Sequence, residues 1–130
     1  MACSAVTTLV LGVVHLVFTW VGPNLRPRDP ALEAAMRQVP LGITTETTIW
    51  RAYVGFNASH AMALLLFGLV YGFLALRHPA LLFESTFLRA VGVVMLAGLA
   101  VLARLYWFSV PLAGVSFALV CFVASIVVAL

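Results

Sequence analysis

The sequence predicts an all-α integral membrane protein built as a four-helix bundle, and three observations support this fold class. Of the 130 residues, 65% are hydrophobic and only 8% are charged, whereas soluble domains are about half apolar and about a quarter charged. The mean hydropathy is +1.18. Four apolar stretches each reach the length of about 20 residues that a helix needs to cross a bilayer. We therefore expect one transmembrane domain with spans at about residues 2–21, 50–76, 86–108 and 111–130.

Helix-capping and helix-breaking residues mark the ends of these spans. Gly22-Pro23 stops the first span, and a hydroxyl of Thr47-Thr48 can cap the second. Residues 79–85 are expected to form the turn between the second and third spans. A tight turn at Ser109 is expected to place Pro111 at the first position of the fourth helix, where proline is favoured.

The loop at residues 23–49 is the only long segment outside the predicted spans. Asp29 followed by Pro30 is typical of a helix start, and a short helix over residues 30–39 would gather its apolar side chains on one face. We expect this helix to lie at the membrane interface. It either covers the mouth of the bundle as a lid over a substrate entrance or serves as a simple connector, and the sequence favours neither.

Charge and cysteine usage limit the classes of partner. The seven basic residues are all arginine, against four acids, and five of these arginines fall on the side of the membrane that holds residues 23–49, here called the loop side. This excess predicts that the loop side is cytoplasmic, and it does not indicate nucleic-acid binding. Cys3 begins the first span and Cys121 lies near the middle of the last, so we expect them at different depths and without a disulfide.

Polar residues inside the spans are the strongest functional signal, because such groups are costly in hydrocarbon. His15 in the first span and His60 in the second each lie on a stripe of small or polar residues at helical spacing. Depth can be counted along each helix with a rise of about 1.5 Å per residue in a core about 30 Å thick. His15 then lies about 18 Å from the membrane side opposite the loop side, and His60 lies about 14 Å from the loop side. The two imidazoles should therefore share one internal cavity.

Two imidazoles at one depth can act chemically in several ways. They can hold a haem, such as haem b, between them, bind a metal with further ligands, or share acid and base roles on a substrate. Alternatively, each only hydrogen-bonds within the bundle and holds helices together. Zinc is disfavoured, because no acid or cysteine lies at that depth in the first two spans. We assign His15, His60 and Asn57 as catalytic candidates, with both histidines as cofactor ligands if a cofactor is present.

Four further residues are candidates for substrate binding. Arg104 lies near the loop side and is expected either to meet an anionic group of a ligand or to orient Glu46 as a proton donor, the alternative being contact with lipid phosphate. The other two lie on the polar stripes. The full set is Thr19, Tyr53, Arg104 and Glu46.

One sequence pattern carries a resemblance. The run W-R-A-Y-V-G-F-N-A-S-H at residues 50–60, followed by Phe67-Gly68 and Tyr71-Gly72 and preceded by H-L-V-F-T at 15–19, resembles a signature of an uncharacterised family of small four-span proteins of the bacterial inner membrane. The resemblance covers roughly the first 75 residues. It implies the fold and that location but no reaction. In outline the architecture is also similar to membrane isomerases of small apolar substrates, including haem-containing epoxide isomerases.

Two functions of different classes follow. The first is an intramembrane enzyme, most simply an isomerase for a small lipophilic substrate or lipid, since isomerisation needs no water in a dry cavity. The second is a non-catalytic subunit or assembly factor of a larger membrane complex. Glycine-rich and alanine-rich helix faces favour close helix contact and a homo-oligomer or larger complex in either case. A small multidrug exporter is excluded by the lack of an acid in the first span, and a channel by the lack of a charged ring or carbonyl filter.

Overall fold

A computed structural model describes residues 1–129 and contains four long helices, two short helices and one small hairpin. The long helices are apolar enough to cross a membrane, so the chain is an integral membrane protein of the predicted all-α class. Each begins and ends within two residues of the expected apolar stretch. In chain order the elements are α1 (Ala2–Trp20), α2 (Pro30–Gln38), β1 (Pro40–Leu41), β2 (Thr44–Thr48), α3 (Ile49–Arg77), α4 (Pro79–Glu84), α5 (Thr86–Tyr106) and α6 (Ser109–Ala129).

The loop between α1 and α3 is folded. The Asp29 side chain accepts a hydrogen bond of 2.9 Å from the Ala31 backbone N–H, which confirms the predicted start of α2. Helix α2 ends at Gln38 rather than at residue 39, because Val39 has already turned extended. Strands β1 and β2 then pair antiparallel in a hairpin that was not predicted from the sequence.

Two local expectations were wrong. Residues 79–84 form helix α4 rather than part of a turn. Ser85 follows, and its side chain caps α5 by accepting a hydrogen bond of 3.2 Å from the Leu88 N–H. Helix α6 begins at Ser109, so Pro111 is its third residue and not its first. Proline is tolerated there because the N–H groups of the first helical turn have no partner within the helix.

Backbone contacts group the described residues into two units. Gly12–Ala63 forms one, which contains the loop with α2 and the hairpin. The rest of the chain forms the other, and the core of this second unit consists of aromatic and aliphatic side chains from α3, α4, α5 and α6. Its buried members are Leu64, Phe67, Tyr71, Leu82, Leu96, Leu99, Val115, Ala118 and Phe122.

Small residues let the helices of this second unit approach closely. A Cβ added at Gly68 on α3 would lie 2.8 Å from the Ala5 carbonyl oxygen of α1, and one at Gly92 on α5 would overlap the Phe122 ring of α6. Most large apolar side chains on the long helices stay exposed, such as Phe56 at 74% and Val127 at 66%. That pattern suits helices whose outer faces contact lipid.

The two cysteines are neighbours, which corrects the expectation that they lie at different depths. The Cys121 Sγ lies 3.4 Å from the Cys3 Sγ. Helices α1 and α6 pack in an antiparallel register in which the start of α1 meets the second half of α6 rather than its end, so that Met1 meets Ser125 at 3.7 Å. The sequence prediction counted the depth of each cysteine along its own span and did not include the offset between α1 and α6.

Candidate functional site

The candidate site lies in the Gly12–Ala63 unit, where α1 and α3 each present a histidine to the other. The His15 and His60 ring centroids are 5.2 Å apart, and the ring planes meet at 77° in an edge-to-face arrangement. Both side chains are half-buried. The two rings are therefore neighbours, as the depth estimate from the sequence predicted. Their chemical roles stay a prediction.

Asn57 fixes the orientation and the tautomer of His15. The Asn57 Nδ2 donates to the Tyr53 carbonyl oxygen at 2.8 Å, which leaves its Oδ1 to face the His15 Nε2 at 3.1 Å. An amide oxygen can only accept a hydrogen bond, so the Nε2 of His15 carries a hydrogen. In the neutral ring the lone pair is then on Nδ1, which is the nitrogen that can act as a base.

The Tyr53 side chain contacts the loop after α1. Its hydroxyl donates to the Leu25 carbonyl oxygen at 2.8 Å and so attaches the loop after α1 to α3, one turn from Asn57. The same loop is attached again by Arg37, whose guanidinium carbon lies 4.4 Å from the Trp50 ring centroid while its Nη2 lies 2.6 Å from a Glu33 oxygen. This second attachment was not predicted from the sequence, although the i to i+4 spacing of Glu33 and Arg37 is a recognisable pair signal.

Thr19 and Glu46 occupy different settings within the same unit. Thr19 lies one turn beyond His15 on α1, and its hydroxyl donates to the His15 carbonyl oxygen at 2.8 Å. Glu46 is exposed on β2. The ion pairs found among residues 1–129 all belong to Glu33, with Arg26 and Arg37. Glu46 therefore forms no ion pair within 4 Å among these residues.

Arg104 belongs to the other unit, near the end of α5. It lines an open cavity of about 330 Å³ between α5 and α6, together with Leu112, Ser116 and neighbouring aliphatic residues. Neither imidazole lines this cavity. Within the Gly12–Ala63 unit, the structure brings together His15, Asn57, His60 and Tyr53.

A haem held between the two histidines does not fit this arrangement. Axial ligation from both sides places the macrocycle between the two rings, whereas here the rings contact each other directly. The Nε2 of His15 is also engaged by Asn57. Among the described residues no group of three or more histidine, cysteine or acidic side chains is placed to hold a metal ion. What the two imidazoles do offer is acid and base chemistry of their own.

Comparisons with known proteins found no match to a family model, to a curated protein or to a solved structure.

Proposed function

We propose that the protein is an intramembrane isomerase that moves a proton within a small lipophilic substrate. The observation that carries the proposal is the pair of contacting imidazoles, of which one has its tautomer fixed by Asn57. Polar groups are costly inside a membrane span, and those that are found there often have a function, of which proton relay is a common one. A shift of a carbon–carbon double bond near a carbonyl group of the substrate needs only a base and an acid, with no water or cosubstrate.

In the proposed reaction, His15 acts as the base and His60 as its partner. The Nδ1 of His15 takes a proton from a substrate carbon between a carbonyl group and the double bond, and the electron pair of that C–H bond shifts toward the carbonyl oxygen to form a dienolate. The extra proton then passes from His15 to the contacting His60, and the His60 imidazolium returns a proton to the far carbon of the dienolate. Both rings are then neutral again, and substrate and product have the same formula. Asn57 is a positioning residue here, because its oxygen stabilises the imidazolium through the Nε2 hydrogen.

The substrate class follows from the location of the rings. Both histidines lie on predicted spans, α1 and α3, so the substrate reaches them from the hydrocarbon and must be soluble in it. We also propose that Thr19, Tyr53 and Glu46 contact the substrate or its headgroup, and that the protein acts in the bacterial inner membrane as a homo-oligomer. The half-exposed histidines support access from outside the helix pair.

Solvent deuterium tests the reaction on a mixture of candidate substrates. Purified protein in lipid nanodiscs is incubated in D₂O with a total membrane lipid extract, and the lipids are analysed by chromatography and mass spectrometry. A proton returned from an exchangeable imidazole labels the product, so we expect a lipid that gains deuterium and changes retention time. His15→Phe and His60→Phe should each abolish the labelling.

The third histidine provides a matched control. His78 precedes α4 and its ring contacts Phe73, so His78→Gln should label lipids at the wild-type rate. Absence of labelled lipid with the wild-type protein, together with stoichiometric co-purification of larger membrane proteins, would reject the isomerase in favour of the non-catalytic subunit. Labelling that persists in both histidine variants would also reject it.

A further inference from the structure

The cysteine pair described above is a second chemically distinct feature, separate from the histidine site. Cys3 on α1 and Cys121 on α6 are the only two cysteines among the 130 residues. Both are free thiols that form no disulfide. Their sulfurs are 3.4 Å apart. Cys3 is exposed and Cys121 is half-buried, so a small reagent can reach the pair.

The packing of α1 on α6 determines this contact. On one side of the cysteines, the Ser125 hydroxyl lies 3.7 Å from the Met1 sulfur. On the other side, Gly114 leaves room for Leu11, since a Cβ at Gly114 would lie only 3.0 Å from a Leu11 methyl carbon. The two flanking contacts fix the register of the helices, and the sulfurs are held together between them.

We propose that Cys3 and Cys121 form a reversible intramolecular disulfide that joins α1 to α6. A disulfide bond is about 2.05 Å long, so the sulfurs must approach by about 1.4 Å, which small rotations of the two side chains can supply. In the reaction the two S–H bonds are lost and one S–S bond forms. Two electrons and two protons leave the thiols, and a quinone that accepts them becomes the quinol.

A lipid-soluble quinone suits the depth of the pair. Cys121 lies eight residues before the last residue of α6, which is about 12 Å along a helix. Cys3 is the second residue of α1, and both cysteines lie on helices apolar enough to cross a membrane, so a quinone dissolved in the bilayer can reach the pair. The orientation expected from the arginines places the start of α1 on the side away from the cytoplasm, where disulfides persist.

Thiol counting with a defined quinone tests the proposal. Protein in nanodiscs is reduced, freed of reductant and exposed to decylubiquinone. It is then denatured and labelled with a maleimide-linked polymer, which adds a mass visible on a gel to each free thiol. We expect the wild type to change from two labels to none, to lose two hydrogen atoms by intact mass, and to regain both labels after reduction. The band on a non-reducing gel should stay monomeric.

Three variants separate the proposed bond from general thiol oxidation. Cys3→Ser and Cys121→Ser should each keep one label after quinone treatment. The matched control is Cys3→Ser combined with Val6→Cys, which retains two thiols on the same helices but moves one to a position that is 58% exposed. Its intramolecular oxidation should be slower by about tenfold or more, since the rate depends on access between the two sulfurs. Wild-type protein that keeps both labels, or a control that closes as fast as the wild type, would overturn the proposal.

Discussion

At the scale of single residues, the site depends on one amide. Asn57 makes two hydrogen bonds, one from its Nδ2 to Tyr53 and one through its Oδ1 to His15. A leucine at this position has the same number and branching of side-chain heavy atoms but no acceptor for the Nε2 hydrogen. The imidazole would then be free to rotate and to exchange its tautomer.

We therefore predict that Asn57→Leu lowers the rate of deuterium incorporation by about 100-fold, which is in the usual range for loss of general acid–base function. The substrate-independent measurement is ¹⁵N NMR of the histidine rings, which should show a fixed Nε2–H tautomer for His15 in the wild type and a mixture in the variant. Ser59→Ala is the control on the same helix, because the Ser59 hydroxyl bonds only its own helix at Phe56. An unchanged His15 tautomer in Asn57→Leu would contradict the assignment.

The pairing of the histidines could be predicted because helical rise is nearly constant, so depth in a span can be counted along the chain. The partner of Tyr53 could not be predicted in this way. Its hydroxyl bonds the Leu25 carbonyl oxygen, and that contact depends on how an irregular loop folds back. The cysteine contact was missed for a similar reason, since it depends on the offset between two helices.

At the scale of elements, close helix contact depends on glycine at one position of α3. An alanine at Gly68 would place its Cβ within 3 Å of both Ala5 and Leu9 on α1. Contacts this short force the helices apart or push side chains from their rotamers. Gly55 lies on the same helix, and a Cβ there would meet nothing within 4 Å.

The two glycines thus give opposite predictions for the same substitution. Gly68→Ala should lower the free energy of unfolding by about 1–3 kcal/mol, whereas Gly55→Ala should leave it unchanged or raise it by up to about 1 kcal/mol, because alanine favours helix. Thermal unfolding in detergent, followed by circular dichroism, measures both. Equal melting temperatures for the two variants would show that the α1–α3 contact at Gly68 does not limit stability.

The short elements were harder to predict than the long ones. Strand β2 has the sequence Thr-Thr-Glu-Thr-Thr, with no apolar alternation to signal a strand. Helix α4 has only six residues between Pro79 and Glu84, which is too short for a helical period to be visible. The start of α2 was predictable because Asp29 followed by Pro30 is a specific capping signal.

At the scale of the whole molecule, the arginine distribution predicts the orientation in the membrane. Residues 23–49 should lie on the cytoplasmic side, and the segment around α4 on the opposite side. Glu46 and Glu84 are exposed representatives of these two segments. Neither carboxylate forms an ion pair within 4 Å among residues 1–129, so either can be replaced at low cost.

We predict that a cysteine introduced at Glu46 is protected from a membrane-impermeant maleimide added to intact cells, and that one at Glu84 is labelled. Both variants are made in a Cys3→Ser, Cys121→Ser background so that each protein carries a single thiol. Labelling after cell lysis controls for burial of the introduced cysteine. The reverse pattern would place the loop side outside the cytoplasm and would remove the argument that the native cysteines lie nearer an oxidising compartment.

The length of α3 has a consequence for the surrounding bilayer. The helix contains 29 residues, against 19 in α1, and at about 1.5 Å per residue it measures about 43 Å. This exceeds a hydrocarbon thickness of about 30 Å, so α3 must tilt or extend into the headgroup layer. A thicker bilayer reduces this mismatch for α3 and increases it for α1. A change in the thickness of the host membrane therefore alters the hydrophobic mismatch of the two histidine-bearing helices in opposite directions.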